Sequence, residues 1–131
     1  MDEPAQVTAM KSNSLPVHMV YVTAPDLRTA RRLARLAIDQ RLAACANLFP
    51  CLHSVYRWKG QIEQSNESGL LLKTSTVRLP ALLQALQKAH PYECPCIVHW
   101  QLAGGCSGFI QWIHDETRVE PRTSRSRTPK G

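Results

Sequence analysis

The sequence predicts one domain of mixed α/β (α+β) structure, with elements in the order β-α-β-β-α-β and a short helix at the end. The chain has 131 residues and 44% hydrophobic content, which suffices for one sizeable core. Its apolar residues recur with period two in some segments and with period 3.6 in others. Gly, Pro and Asp separate these segments, as expected between strands and helices.

The first strand and helix are predicted in the amino-terminal half. Residues Val17 to Thr23 are short and β-branched, and Pro25 ends the strand. Asp26 is a suitable N-cap for the helix that follows. Apolar residues on one helical face, which we expect to be buried, are Ala30, Leu33, Ala34, Ala37 and Ile38.

Two long strands follow between Ala44 and Leu72. Lys59-Gly60 is a credible two-residue hairpin loop, because Gly tolerates the positive φ that such turns require. On the second strand Glu63, Glu67 and Lys73 lie at even spacings, so they project to the same face if the strand has no bulge. At about 3.3 Å per residue, Glu63 and Glu67 are then about 13 Å apart, too far to act together across one bond within a subunit.

The second half of the chain predicts a helix, a strand and a terminal helix. Residues Thr76 to Ala89 have helical periodicity, with Pro80 tolerated in the first turn. His90-Pro91 ends that helix. A strand from Cys96 to Leu102 and a helix from Ser107 to Glu116 complete the domain.

This order matches the split β-α-β, or ferredoxin-like, motif. Right-handed crossovers place both helices on one face of an antiparallel sheet. The other face also carries apolar residues, and a lone domain does not leave such a face in water. We therefore expect a symmetric oligomer, with the long central hairpin pairing between subunits.

The net charge of +6 is mostly a property of the carboxyl-terminal tail. Residues 117–131 carry five basic residues against one acid, a balance of +4, and residues 1–16 carry −1. The domain at 17–116 therefore holds only +3, and nucleic acid is not an expected partner. Both tails are predicted to be disordered, because they lack bulky apolar residues. No run has the length of a membrane span or the pattern of a secretory signal.

The cysteines indicate the compartment. The chain has five cysteines, an odd number, without an export signal, which favours reduced thiols and a cytoplasmic location. Cys45 and Cys51 are interpreted as small core residues.

Several stretches together resemble the CutA divalent-cation tolerance family. Their order and spacing over about residues 17–116 carry the resemblance. They are Thr23-Ala24-Pro25, Arg41-Leu42-Ala43-Ala44-Cys45-Ala46-Asn47, Tyr56-Arg57-Trp58-Lys59-Gly60, Ile62-Glu63, Glu67, Lys73-Thr74, and His90-Pro91-Tyr92-Glu93 with Pro95. The chain departs from the family pattern at Cys94, where Thr is usual, and at Trp100.

The resemblance implies a homotrimer of ferredoxin-like domains, similar in architecture to the PII signalling proteins and linked to tolerance of copper and other divalent cations. It implies no organic cofactor and no enzymatic activity. Ligands would bind in clefts between subunits. The candidate ligand-binding residues are Trp58, Glu63, Glu67, Lys73, His90 and Tyr92.

A metal site is a further hypothesis. Cys94 and Cys96 have two-residue spacing on one strand face, and with a neutral His90 imidazole they would suit Cu²⁺, Cu⁺ or Zn²⁺. Buried structural thiols are the alternative, since no CxxC pair of a zinc site is present. For His90 the alternative is a role at the carboxyl end of the preceding helix.

Three classes of function stay open at this point. The first is a trimeric protein of the copper and divalent-cation response, which binds a metal or a small ligand. The second is a non-catalytic trimeric scaffold or a PII-like sensor of small molecules. The third is a hydrolase in the same cleft, with His90 as base and a glutamate of the adjacent chain as acid, although no nucleophile is identified for it.

Overall fold

The predicted order of elements is confirmed by a computed structural model of the chain, which describes residues 15–119. Within that range the elements are β1 (Val17–Ala24), α1 (Leu27–Asp39), β2 (Cys45–Trp58), β3 (Gln61–Ser75), α2 (Leu79–Ala89), β4 (Ile97–Gln101) and α3 (Ser107–Glu116).

The strands form one antiparallel sheet in the order β2-β3-β1-β4. This is the ferredoxin-like arrangement, and β1 is central. Strands β2 and β3 have 14 and 15 residues, whereas β1 has 8 and β4 only 5. The β2-β3 hairpin therefore extends beyond the rest of the sheet, as predicted. Its turn residues Lys59 and Gly60 have φ values of 48° and 80°, the sign required at both central positions of a type I′ turn.

The main core lies between the sheet and helices α1 and α2. It includes Val20 and Leu72 from the sheet, Leu33 from α1 and Leu86 from α2, all fully buried. Each helix contributes the apolar face that its periodicity predicts. Ile38 is an exception, since it is 38% exposed at the last turn of α1.

The helix ends follow from local hydrogen bonds. The carboxylate of Asp26 accepts a hydrogen bond of 2.8 Å from the Thr29 amide, so the predicted N-cap of α1 is confirmed. Helix α2 starts at Leu79, later than the predicted Thr76, because residues before it form a turn in which the Arg78 amide donates to Ser75 Oγ. Pro80 lies in the first turn of α2, where its missing amide hydrogen costs nothing.

The opposite side of the sheet, which we call the open face, is apolar and only partly covered. Because Val20 and Val22 point to the helices, the alternate residues of β1 point away from them. In the sheet register Met19 pairs with Trp100 and Tyr21 pairs with Val98. Trp100 is 45% exposed and Val98 is 49% exposed. Helix α3 covers only one end of the sheet, where Ile110 and Ile113 pack on Val17.

Residues next to the predicted boundaries of 17 and 116 also contact the domain. Pro16 O accepts hydrogen bonds from Thr76, and Thr117 is buried, with its hydroxyl donating to Ser75 Oγ. The predictions of disorder for the tails fall mostly on residues 1–14 and 120–131, outside the described residues. Among residues 15–119, no helix has both the length and the apolar character needed to cross a membrane.

A β-bulge interrupts the β2-β3 ladder between Phe49 and Leu52. Two residues, Pro50 and Cys51, stand in β2 where β3 has one, and Pro50 can occupy this position because β2 is an edge strand. The Ser68 hydroxyl donates to Pro50 O over 2.8 Å. A bulge of this kind typically bends the strand that carries it.

Candidate functional site

A cavity lies between the β2-β3 hairpin and the segment that follows α2. It has a volume of about 720 Å³ and is open to solvent. Five predicted site residues line it, namely Trp58, Glu67, Tyr92, Cys94 and Cys96. The hairpin supplies the first two and residues 92–96 supply the others. We call this cavity the cleft.

A hydrogen bond joins the two walls of the cleft. Tyr92 Oη donates to Glu67 Oε2 over 3.1 Å. Burial, together with the Glu67 carboxylate that accepts this bond, raises the pKa of Tyr92 from 10.0 to about 12. Tyr92 therefore stays a neutral donor throughout the physiological range, and it holds one oxygen of Glu67 toward the cleft.

His90 contacts two residues that line the cleft, Thr23 and Tyr92. It is 7% exposed, and its Nε2 lies 2.8 Å from Thr23 O, while its Nδ1 accepts from the Tyr92 amide over 3.1 Å. Since a carbonyl oxygen only accepts, the proton lies on Nε2 and the lone pair of Nδ1 is used. Neither nitrogen is free, so in this arrangement His90 is a positioning residue and does not point a lone pair at a metal. As the C-cap residue of α2 it also donates its backbone amide to Leu86 O, while its imidazole contacts Thr23 and Tyr92 rather than the end of the helix.

The thiols differ from the sequence-based interpretation. Cys94 and Cys96 are exposed in the single chain and line the cleft, and both precede β4 instead of lying on one strand face as predicted. Cys51 is exposed and Cys45 is half-buried, so neither belongs to the core. Cys51 is one of the two residues of the β2 bulge on an edge strand.

Two predicted ligand residues lie outside the cleft lining. Glu63 is exposed on the outer part of the hairpin, paired in register with Tyr56. Lys73 lies on the open face, where its Nζ contacts Asn47 Oδ1 and lies 3.7 Å from Cys45 Sγ. The strand alternation that predicts a shared face does not bring these side chains to the same place, because they lie on different stretches of a 15-residue strand.

Sequence reasoning missed part of the cleft. His53, Ser54 and Tyr56 of β2 also line it. Alternation along β2 would have placed His53 and Tyr56 on opposite faces, so it does not predict that both line one cavity. Glu93 is a further acidic member of the lining.

The cleft can bind, but it has no preformed metal cage within one chain. In the part of the chain that the structure describes, no group of three or more His, Cys, Asp or Glu side chains is placed to hold a metal ion. Two thiols, two carboxylates and aromatic rings do line a cavity of ligand size. Sulfur and carboxylate donors fit a divalent or soft cation, with further donors needed from another subunit or from solvent.

Together, the topology and the cleft define a ferredoxin-like protein with an extended central hairpin that walls a binding cavity. The family model described as "CutA1 divalent ion tolerance protein" matches residues 18–116. The chain therefore belongs to the CutA divalent ion tolerance family, as its sequence motifs indicated.

Three known proteins illustrate the similarity. Protein CutA of Mus musculus is 36% identical over 101 residues, 77% of this chain and 57% of the relative. The divalent-cation tolerance protein CutA of Thermus thermophilus is 37% identical over 99 residues, covering 76% of this chain and 96% of the relative. The structure of the periplasmic divalent cation tolerance protein CutA from Archaeoglobus fulgidus superposes with a TM-score of 0.75 at 30% identity, covering 78% and 99% of the two chains.

The length of the match differs between relatives. The region similar to this chain spans less than two thirds of the length of the mouse relative but nearly all of the bacterial one.

Proposed function

We propose that the protein is a homotrimeric, non-catalytic binding protein of the divalent metal ion response, including copper, and that its clefts are completed by neighbouring subunits. The observation that carries this proposal is the position of the cleft. It opens along the hairpin that extends past the sheet, next to an apolar open face that one chain leaves uncovered.

The trimer is supported by the surface of the domain. Trp100 and Val98 on the open face, and Val55 and Ile62 on the hairpin, are large apolar side chains with 45% to 66% exposure. Such a concentration is typical of a subunit interface. Light scattering coupled to size exclusion should report about three chains per particle, and a monodisperse monomer at micromolar concentration would contradict the proposal.

For the metal, we propose Cys94 and Cys96 as the donors within one subunit. Both are exposed in the cleft, and their sulfur atoms prefer copper or zinc over magnesium and calcium. His90 keeps the segment in place through Thr23 and Tyr92. We therefore revise its predicted role from ligand to positioning residue.

A matched pair of variants tests the metal site. Cys94→Ser should weaken copper binding by about tenfold or more, measured by competition with a chromogenic chelator, because one of two thiolates is lost. Cys106→Ser is the control, since Cys106 is also exposed but lies at the start of α3, outside the cleft lining. Equal losses in both variants would show that copper binds elsewhere or nonspecifically.

A small-molecule ligand is the second candidate, favoured by the aromatic lining. Trp58 and Tyr92 face a cavity of about 720 Å³, a size that suits a drug-sized or nucleotide-sized ligand. Thermal-shift screening with metals and with metabolites would distinguish a PII-like sensor from a metal binder. A scaffold would show no stabilisation by either class.

The location is also a proposal. The sequence favours the cytoplasm through its cysteine content, whereas the archaeal relative is named a periplasmic protein. Fractionation of cells that produce the native gene product would decide between these compartments.

A further inference from the structure

Three polar side chains meet on the hairpin next to the bulge, and none of them is among the residues proposed above as metal donors, although His53 also lines the cleft. Cys51 Sγ lies 3.9 Å from His53 Nε2, and His53 Nδ1 lies 2.7 Å from Asn66 Oδ1. Cys51 and His53 come from β2, and Asn66 is the partner of His53 on β3. All three are exposed.

The hydrogen bonds define the state of the imidazole. The carbonyl oxygen of the Asn66 side chain accepts only, so the proton of His53 lies on Nδ1. Nε2 then carries the lone pair, and this lone pair is available to the thiol of Cys51. A nucleophile, a base within reach and a third group that orients the base form the general arrangement of an activated thiol.

We propose that Cys51 is a reactive thiol that exchanges with low-molecular-weight disulfides, with His53 as proton acceptor and Asn66 as positioning residue. This proposal does not depend on the proposed function. Disulfide exchange needs a thiol, a base and access, and these are what the three side chains supply. Acyl transfer, the other common reaction of a thiol beside an imidazole, would in addition require hydrogen-bond donors that stabilise an oxyanion.

The reaction balances without any other reagent. His53 Nε2 takes the proton from Cys51 Sγ, and the sulfur attacks one sulfur of the disulfide. The bond between the two sulfurs of the reagent breaks as a new disulfide bond to Cys51 forms. The leaving thiolate takes the proton from His53 and departs as a thiol. Cys51 is oxidised and the small disulfide is reduced.

The surroundings of the three side chains favour access by a small reagent. His53 and Asn66 line a second cavity of about 210 Å³ with Ser54, Val55, Gln64 and Ser65. The Cys51 thiol is itself exposed in the single chain.

The chain contains its own controls for a kinetic test. Cys94, Cys96 and Cys106 are also exposed, and none has a histidine contact among the hydrogen bonds of residues 15–119. The full-length protein is mixed with excess dithiobisnitrobenzoate, and release of the coloured thiol is followed by stopped flow. We expect one thiol per chain to react at least about tenfold faster than the other exposed thiols, because general-base assistance typically contributes about a hundredfold to ten-thousandfold.

Variants then assign the fast phase. Cys51→Ser should remove it, and mass spectrometry after brief reaction should place the label on Cys51. His53→Ala should slow it by about tenfold or more. Asn66→Ala should slow it several-fold, whereas Asn66→Asp should retain it, because a carboxylate also accepts from His53 Nδ1–H. A merely structural role of Asn66 would not produce this difference.

Two results would overturn the inference. One is a Cys51 rate within about threefold of the other exposed thiols, which would include the case of a thiol covered by another subunit. The other is an unchanged rate in His53→Ala with a native circular dichroism spectrum, which would show that the imidazole does not assist.

Discussion

The hydrogen bond between Tyr92 and Glu67 is the contact that joins the two walls of the cleft, and its contribution can be measured by a double-mutant cycle. Tyr92→Phe removes the donor and Glu67→Gln removes the charge of the acceptor. A hydrogen bond to an ionised group contributes about 1.5–3 kcal/mol when it is well shielded. Tyr92 is 37% exposed, so solvent competes and we expect a coupling energy of about 1 kcal/mol.

The assay is chemical denaturation of the four proteins at one fixed concentration. Each single variant should lose about 1 kcal/mol of unfolding free energy. A thermal scan of the same proteins should show a melting temperature about 4 °C lower, the usual shift for a domain of this size. The double variant should lose less than the sum of the two. A coupling energy below about 0.3 kcal/mol would show that the 3.1 Å contact does not hold the cleft together.

The raised pKa of Tyr92 gives the same contact a pH signature. The folded state holds the phenol proton up to about pH 12, whereas an unfolded tyrosine releases it near 10.0. The contribution of this group to stability is therefore complete below pH 10.0 and is lost as the pH rises toward about 12. Tyrosinate absorbance in the wild type and in Tyr92→Phe identifies the late-titrating phenol.

Two further predictions concern stability. Burial and the nearby His99 ring lower the pKa of His18 below 6.5, so the unfolded chain binds more protons below that pH and the free energy of unfolding should fall with decreasing pH from 6.5 downward. The free energy of unfolding of His18→Gln, measured by urea denaturation at several pH values, should fall less steeply below pH 6.5 than that of the wild type. The same dependence on pH in both proteins would contradict the assignment. Leu72→Ala, at a fully buried position of β3, should cost about 3–4 kcal/mol, whereas Val77→Ala, at a position 67% exposed, should cost less than about 0.5 kcal/mol in the same denaturation assay.

Most of the fold could be predicted from the sequence because its signals are local. Asp26 as N-cap, Lys59-Gly60 as hairpin turn and Pro80 in a first helical turn each act through neighbouring backbone atoms. The later start of α2 could not be predicted, since it depends on a hydrogen bond from Arg78 to the side chain of Ser75 in a turn. Periodicity alone does not distinguish such a turn from helix.

The cleft could be predicted only in part. Tyr92 and Glu67 are 25 residues apart, and the family motif named both, but their contact depends on how the chain leaves α2. The roles proposed for Cys51 and His53 depend on the bulge, which inserts one residue into β2. Beyond it, each side chain of β2 lies on the face of the sheet opposite to the one that strict alternation predicts. A bulge follows from the pairing of two strands and has no clear signal in either strand alone.

The open face and the cleft lead to one last prediction, because the proposed trimer would couple them. If a neighbouring subunit completes each cleft, ligand affinity depends on assembly, and a change on the open face should weaken binding without touching the cleft. Trp100→Glu places a charge at a 45% exposed position that is absent from the cleft lining. We expect light scattering to show smaller particles and titration to show copper affinity reduced by about tenfold or more, since a buried unpaired charge opposes association. Trp100→Phe is the matched control and should keep both properties. Monomers of Trp100→Glu that bind copper as tightly as the wild type would show that each cleft is complete within one chain.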